Sequence, residues 1–291
     1  MQIAIHGKSF AKEARPFVQT MFDTLAKKEA EIQISADFYK FLGEFGINPH
    51  TDRTYLQNTD TLKADFIFSI GGDGTLLESV MQANAQEIPI LGINTGRLGF
   101  LATVSPGMIQ SSLQEIFESP FQIEDRSLVH LASDIDLFGG YNFALNDFVI
   151  AKTDTSSMIT VHAYLNGEYL NSYWADGLIV STPTGSTGYS LSCGGPVILP
   201  TNSVFVVTPI SPHNLSVRPI IIPDSSELSF RVESRSNNFL VSLDSRFRIV
   251  EGSTKLIVRK EKFMAKLVKM KQDSFLNTLR TKLHWGLDVR N

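Results

Sequence analysis

The sequence predicts an α/β domain followed by an all-β domain. Three observations carry that prediction. The first hundred residues alternate short apolar runs with stretches of helical spacing. From about residue 121 to 270, short β-rich runs separated by polar turns take over. A length of 291 residues with 43% hydrophobic content is enough for one large or two ordinary cores.

The elements follow in order. "QIAIHG" is a short apolar run ended by glycine, and "EARPFVQTMFDTLAKKEAEI" spaces its apolar residues along one helix face with Pro16 near the front. "EIQIS" reads as a strand and "ADFYKFLGEFG" as a helix stopped by glycine. "ADFIFSI" is a strand, "TLLESVMQANA" a helix and "IPILGIN" a strand. Such alternation implies a parallel sheet covered on both faces, with ligands beyond the carboxyl ends of its strands. Gly71 and Asn94 stand at such ends. After "SLQEIFESP" the runs "FQIEDRSLVHLAS", "YNFALNDFVIAKT", "MITVHAYLNGEYLNSYW", "SVFVVTPI", "IIIPDSSELSFRVES", "NFLVSL" and "TKLIVRKEKFMAKLVKM" suggest a sandwich. Asn166-Gly167 marks a hairpin. The tail "DSFLNTLRTKLHW" is helical, capped by Asp273 or Ser274, and must bury Phe275, Leu279 and Leu283, for which the first domain is one place. The expected domains are 1–101, 102–270 and a terminal segment 271–291.

Composition narrows the function. Charged residues make up 19% with no long like-charge block, which argues against wholesale disorder. A net charge of −4 argues against a nucleic-acid binder. Cys193 is the single cysteine, so no intrachain disulfide forms. The start lacks a signal-peptide pattern, and no apolar run reaches the ~20 residues that span a bilayer. A cytoplasmic protein without a membrane partner is expected.

Two glycine-rich stretches carry chemistry. In "FIFSIGGDGTLLESV" a strand, a turn and a helix together make an anion site, where N–H groups and the helix dipole converge. Gly71, Gly72, Gly74 and Thr75 belong to that turn. Neither G-x-x-x-x-G-K-[ST] nor an early G-x-G-x-x-G occurs. Asp73, in the middle of the turn, could take a proton from an attacking hydroxyl, hold Mg²⁺ or cap the helix. The second stretch, "ADGLIVSTPTGSTGYSLSCGGPVILP", offers uncharged donors from Ser181, Thr182, Thr184, Ser186, Thr187, Ser190 and Ser192. "GLIVSTP" enters it as a strand and "PVILP" leaves as one, so a firmly anchored binding loop is expected. No Lys or Arg occurs from 64 to 96 or from 153 to 217, so phosphates bound by these stretches meet N–H groups, hydroxyls, a helix end and a metal ion.

"GGDGT" (71–75), "GINTGRLGFL" (92–101), "LND" (145–147), "DGLIVSTPTGSTGYSLSCGGP" (176–196) and "PHNLSVRP" (212–219), in this order, resemble the NAD kinase family. The resemblance implies a Rossmann-like α/β domain, a carboxyl-terminal β-sandwich, and a last helix returning to the first domain. It also implies transfer of the γ-phosphoryl of ATP to the 2′-hydroxyl of the adenosine ribose of NAD, with Mg²⁺ or another divalent ion, by a homodimer or homotetramer. Asp73 matches the family's catalytic aspartate, and Gly72 and Gly74 its flanking glycines. Together with Gly71, Thr75 and Asn94 these glycines are the phosphate-binding candidates, and Gly74 also borders the NAD site. Phe100 matches an aromatic beside the adenine. Asn146 and Asp147 match an Asn-Glu pair that contacts NAD, with the acid one methylene shorter here. Asp176 matches an aspartate at the nicotinamide end; Thr187, Tyr189 and Ser192 match residues lining the NAD site; Asp244 matches a late acid near the substrate.

The remaining residues have plainer readings. The six histidines show no metal-binding spacing and read as structural or surface groups; His213 alone lies in a matched stretch. Cys193 reads as a small buried residue. Arg97 and Arg218, which end the two basic-free windows, suit either a phosphate or the surface. "KLIVRKEKFMAKLVKMK" reads as a solvated edge strand. Trp174 supports the glycine-rich loop or walls a pocket. Two competing functions remain: a lipid or sugar kinase sharing GGDG, and a catalytically idle NAD-binding sensor.

Overall fold

The structure, a computed structural model, describes residues 1–96, 99–153 and 157–285. It divides into two compact units: Met1–Asp125 with Ala265–Asn291, and Arg126–Met264. Residues 102–125 therefore fold with the first unit, and the chain returns to that unit six residues before the expected position 271.

The first unit begins β1 (Gln2–Gly7), α1 (Arg15–Lys27), β2 (Glu31–Ser35), α2 (Ala36–Glu44) and β3 (Thr54–Tyr55). It continues β4 (Phe66–Gly71), α3 (Asp73–Ala83), β5 (Ile90–Asn94), α4 (Ile109–Glu118) and β6 (Gln122–Arg126). Val18, Met21, Phe22 and Leu25 recur at three- and four-residue intervals and bury one face of α1. Gly46, left-handed at φ 71°, ends α2 as its sequence requires.

The second unit holds β7 (Val129–Ser133), β8 (Phe143–Ala144), β9 (Asp147–Lys152), β10 (Ile159–Leu165), β11 (Glu168–Ala175) and β12 (Gly177–Ser181). Then come α5 (Tyr189–Ser192), β13 (Val204–Ile210), β14 (Ile220–Pro223), β15 (Leu228–Glu233), β16 (Asn238–Leu243), β17 (Arg246–Glu251) and β18 (Leu256–Lys260). They form two six-stranded sheets, β11-β10-β15-β18-β7-β8 and β14-β13-β12-β9-β16-β17. Residues from both sheets, among them Leu131, Val161 and Phe230 from one and Phe148, Val180 and Phe205 from the other, share a single core. Asn166 and Gly167, both at positive φ, turn the β10–β11 hairpin.

The chain then re-enters the first unit as β19 (Ala265–Lys269) and α6 (Phe275–Leu283). The first sheet is seven-stranded, in the order β3-β2-β1-β4-β5-β19-β6. β1 runs parallel to β2 and β4, and β4 parallel to β5. Strand order reverses between β1 and β4, which makes their carboxyl ends the expected ligand position.

Three local expectations are corrected. "PVILP" is not a strand: prolines bracket it, and the Ile198 N–H donates to Ser186 Oγ at 3.0 Å instead of to a ladder. The basic run is not an edge strand. It supplies β18, between β15 and β7, and β19, between β5 and β6. Two of its lysines are held by carboxylates, Lys260 by Asp224 at 2.6 Å and Lys266 by Asp125 at 3.1 Å. Ser274, not Asp273, caps α6, accepting from the Asn277 N–H. Asp273 accepts from the Met270 N–H and from Thr103 Oγ1. Of the residues expected to anchor α6, Leu279 is buried, Phe275 half-buried and Leu283 exposed. No described helix is long and apolar enough to cross a membrane.

Candidate active site

In the first unit β4 is buried throughout and delivers Gly71 to the sheet's carboxyl edge. Gly71 has φ 156°, and a Cβ there would lie 2.3 Å from Thr75 Oγ1. By contrast, a Cβ at Gly72 or Gly74 meets nothing within 4 Å. The protein's own packing does not require glycine at those two positions, so they leave open space over the first turn of α3.

Asp73 does not cap the helix. Gly72 is the N-cap residue and makes no side-chain cap. The Asp73 carboxylate reaches instead to a segment almost thirty residues away. Its Oδ2 accepts the Phe100 N–H at 2.8 Å, and its Oδ1 accepts those of Leu101 and Ala102 at 3.0 and 3.1 Å. Gly99 makes this possible: a Cβ there would fall 1.8 Å from Asp73 Oδ1. Sequence reasoning missed Gly99 and the three N–H groups, although the glycines of "NTGRLGFL" were a signal of close approach. Asn94 is buried, and its side chain holds the same turn by accepting from the Gly96 N–H and donating to the Ala102 carbonyl. Arg97 lies outside the described residues.

Beside α3, at the carboxyl end of β1, the buried His6 bonds Glu78 at 3.0 Å and Ser35 at 3.2 Å, and Lys8 pairs with Glu78. Burial opposes ionisation of Glu78, but the bonds from His6 and Lys8 hold its pKa below the ordinary value. His6 is thus a satisfied structural group. Lys282 of α6 places its ammonium 4.8 Å from the centre of the Phe100 ring.

In the second unit Asp244 makes a second cradle. It sits at φ 53° between β16 and β17. Its carboxylate accepts the N–H groups of Leu145, Asn146 and Asp147 at 3.0, 2.8 and 3.3 Å. Burial nevertheless pushes its pKa up against these donors and nearby Arg246. Asp147 is buried with its pKa pushed up to about 7, first by burial and then by the charge of Asp244.

The hydroxyl-rich loop packs on the same turn. A Cβ at Gly185 would lie 2.1 Å from the Asn146 carbonyl oxygen. Thr182 donates its N–H to that carbonyl at 2.9 Å and its hydroxyl to the Leu145 carbonyl at 2.5 Å. Of the hydroxyls expected to face a ligand, Ser181, Thr182, Thr184, Ser186 and Ser190 are buried. Ser181, Thr182, Ser186 and Ser190 spend their bonds on the protein itself. Thr187 is half-buried, and Tyr189 and Ser192 are exposed. Burial, with smaller contributions from the charges of Cys193, Asp176 and Asp147, pushes the Tyr189 pKa up. Asp176 pairs with Lys152 at 2.7 Å. Trp174 is exposed and packs against His213, ring centres 4.3 Å apart. Arg218 donates to the Leu215 and Val217 carbonyls of its own loop.

A doubly wound sheet with an open, glycine-lined helix start, joined to a sandwich that presents a small-residue loop, defines a nucleotide phosphotransferase. Residues 9–121 match the ATP-NAD kinase N-terminal domain and residues 145–270 the ATP-NAD kinase C-terminal domain. The chain is 52% identical to an NAD kinase from Cytophaga hutchinsonii and 44% identical to one from Flavobacterium psychrophilum, each over the whole of both chains. An Archaeoglobus fulgidus NAD kinase solved in complex with ATP superposes with TM-score 0.74 at 25% identity, covering 98% of each chain. Yeast NADH kinase complexed with NADH shares the fold, with TM-score 0.86 at 24% identity over 99% of this chain and 89% of that one. The chain belongs to the ATP-NAD kinase family and is a kinase that phosphorylates NAD.

Proposed function

We propose that Asp73 is the base in transfer of the γ-phosphoryl of ATP to the 2′-hydroxyl of the adenosine ribose of NAD, giving NADP and ADP. One observation carries the assignment: the carboxylate is fixed by three backbone N–H groups beside glycines whose Cβ positions are open. Oδ2 accepts one N–H and Oδ1 two, so Oδ2 keeps acceptor capacity for the ribose hydroxyl. The fixed N–H groups hold the carboxylate's orientation, so no rearrangement is needed when the proton arrives.

Gly71, Gly72, Gly74 and Thr75 receive the phosphates in this reading, with Asn94 holding the turn behind them. Gly74 and Phe100 of the first unit and Asn146, Asp147, Asp176, Thr187, Tyr189 and Ser192 of the second are proposed to contact NAD. Asp244 acts by presenting Asn146 and Asp147. Among the described residues no three metal-ligating side chains gather. A divalent cation such as Mg²⁺ would be held chiefly by the donor phosphates and water, and would offset phosphate charge when bound. We place the enzyme in the cytoplasm as a homodimer or homotetramer, which light scattering on the full chain tests.

The decisive assay incubates the protein with NAD, ATP and Mg²⁺ and reads NADP with an NADP-specific dehydrogenase. NADP formation is expected; NAD binding without turnover would favour an idle sensor. Parallel reactions with polyphosphate and with NADH define donor and acceptor range.

A further inference from the structure

The site receives a polyanion, yet no Lys or Arg occurs from residue 64 to 96. Transfer of a phosphoryl group concentrates negative charge on three equatorial oxygens, and a positioned cation there accelerates the step. The cation at the end of the neighbouring strand β1, Lys8, is committed to Glu78. Lys282 is not. It is half-buried, and among the described residues no carboxylate pairs with it; its ammonium rests on the face of Phe100.

That ring belongs to the residue whose N–H binds Asp73 Oδ2 at 2.8 Å. The segment leading into the helix that carries Lys282 is tied to the residues just after Phe100, because Asp273 accepts from Thr103 Oγ1 at 3.0 Å. The ammonium is therefore held on the ring of the residue whose N–H binds the base, on a flexible four-carbon stem and by a weak cation–π contact that an anion readily outcompetes.

We propose that Lys282 supplies the positive charge the glycine turn lacks, leaving the Phe100 ring to pair with the phosphoryl group in transit. The proposal rests on Asp73 being the base. The ribose oxygen forms its bond to phosphorus as the bond from phosphorus to the ADP oxygen breaks. The ribose proton goes to Asp73, and Lys282 neither gives nor takes one.

The test compares Lys282→Met and Lys282→Arg with the unaltered chain in steady-state kinetics with NAD, ATP and Mg²⁺. NAD affinity is measured by titration and folding by melting temperature. Lys282→Met is expected to lower kcat by about 10- to 100-fold while the NAD Kd and melting temperature stay within about threefold and a few degrees. Lys282→Arg should recover most of the rate, because charge rather than shape is required. The proposal is overturned if kcat of Lys282→Met stays within threefold. It is equally overturned if Arg rescues no better than Met, or if the loss follows a fallen melting temperature and weakened NAD binding, as for a helix strut. Failure of the unaltered chain to make NADP would instead remove the base assignment beneath it.

Discussion

Asp73 and Asp244 are built alike and placed differently. Each carboxylate accepts three consecutive backbone N–H groups from a distant segment, 100–102 for one and 145–147 for the other. Asp73 stands at the start of a helix, beside glycines that leave space. Asp244 stands in a hairpin turn with Asp147 and Arg246 around it, and burial raises its pKa. The same hydrogen-bond device therefore serves two ends. At Asp73 it orients the carboxylate proposed to act as the base. At Asp244 it fixes the shape of the neighbouring turn proposed to contact NAD.

The sharpest way to break this contrast is Asp73→Asn. We expect kcat to fall by about 10² to 10⁴-fold with little change in NAD affinity, measured by turnover and by titration. Equal loss of both would give Asp73 the supporting role assigned to Asp244. Next comes Gly99→Ala, whose methyl would occupy the Asp73 oxygen position. Displacing the carboxylate should lower kcat at least tenfold, and normal turnover in that variant would mean the observed geometry is not needed for catalysis.

Asp244→Asn should act on the opposite side. Its amide cannot accept all three N–H groups, and an unsatisfied buried donor costs about 1–3 kcal/mol. A lower melting temperature and a severalfold higher KM for NAD are expected, with kcat at saturation nearly kept. A collapse of kcat with unchanged melting would place Asp244 at the chemistry itself.

The smallest effect is a pH dependence. Asp147 has a folded pKa of about 7, above its unfolded value of about 3.9. The folded state then binds more protons between these limits, so its contribution to stability is present at low pH and lost as pH rises through about 7. The slope is at most about 1.4 kcal/mol per pH unit. Urea unfolding from pH 5 to 8 should show this loss in the unaltered chain and a flatter profile in Asp147→Asn. Parallel profiles would place the proton elsewhere.

The sequence made the local units readable. A buried strand, a three-glycine turn and a helix are contiguous, so the order of residues alone marks the turn at Asp73 as a candidate anion site. What Asp73 touches was hidden, because its partners are backbone groups brought near by tertiary folding. The hydroxyl-rich loop misled for a related reason. Ser186 and Thr182 look like ligand donors in one dimension, yet in the fold they satisfy carbonyls and N–H groups that burial would otherwise leave unpaired. β17 was missed because Phe247 and Ile249, its exposed residues, reverse the usual assignment of apolar side chains to the interior.

The late return of β19 has a consequence for biogenesis. Leu267 pairs with Ile90, so the amino-terminal sheet lacks the strand between β5 and β6 until the residues after the sandwich have been made. The flank of β5 stays unzipped through that interval, an invitation to mispairing with other nascent chains. The sandwich, contiguous from 126 to 264, is free to form first. Completion of the first unit is thereby timed by a segment translated after the sandwich.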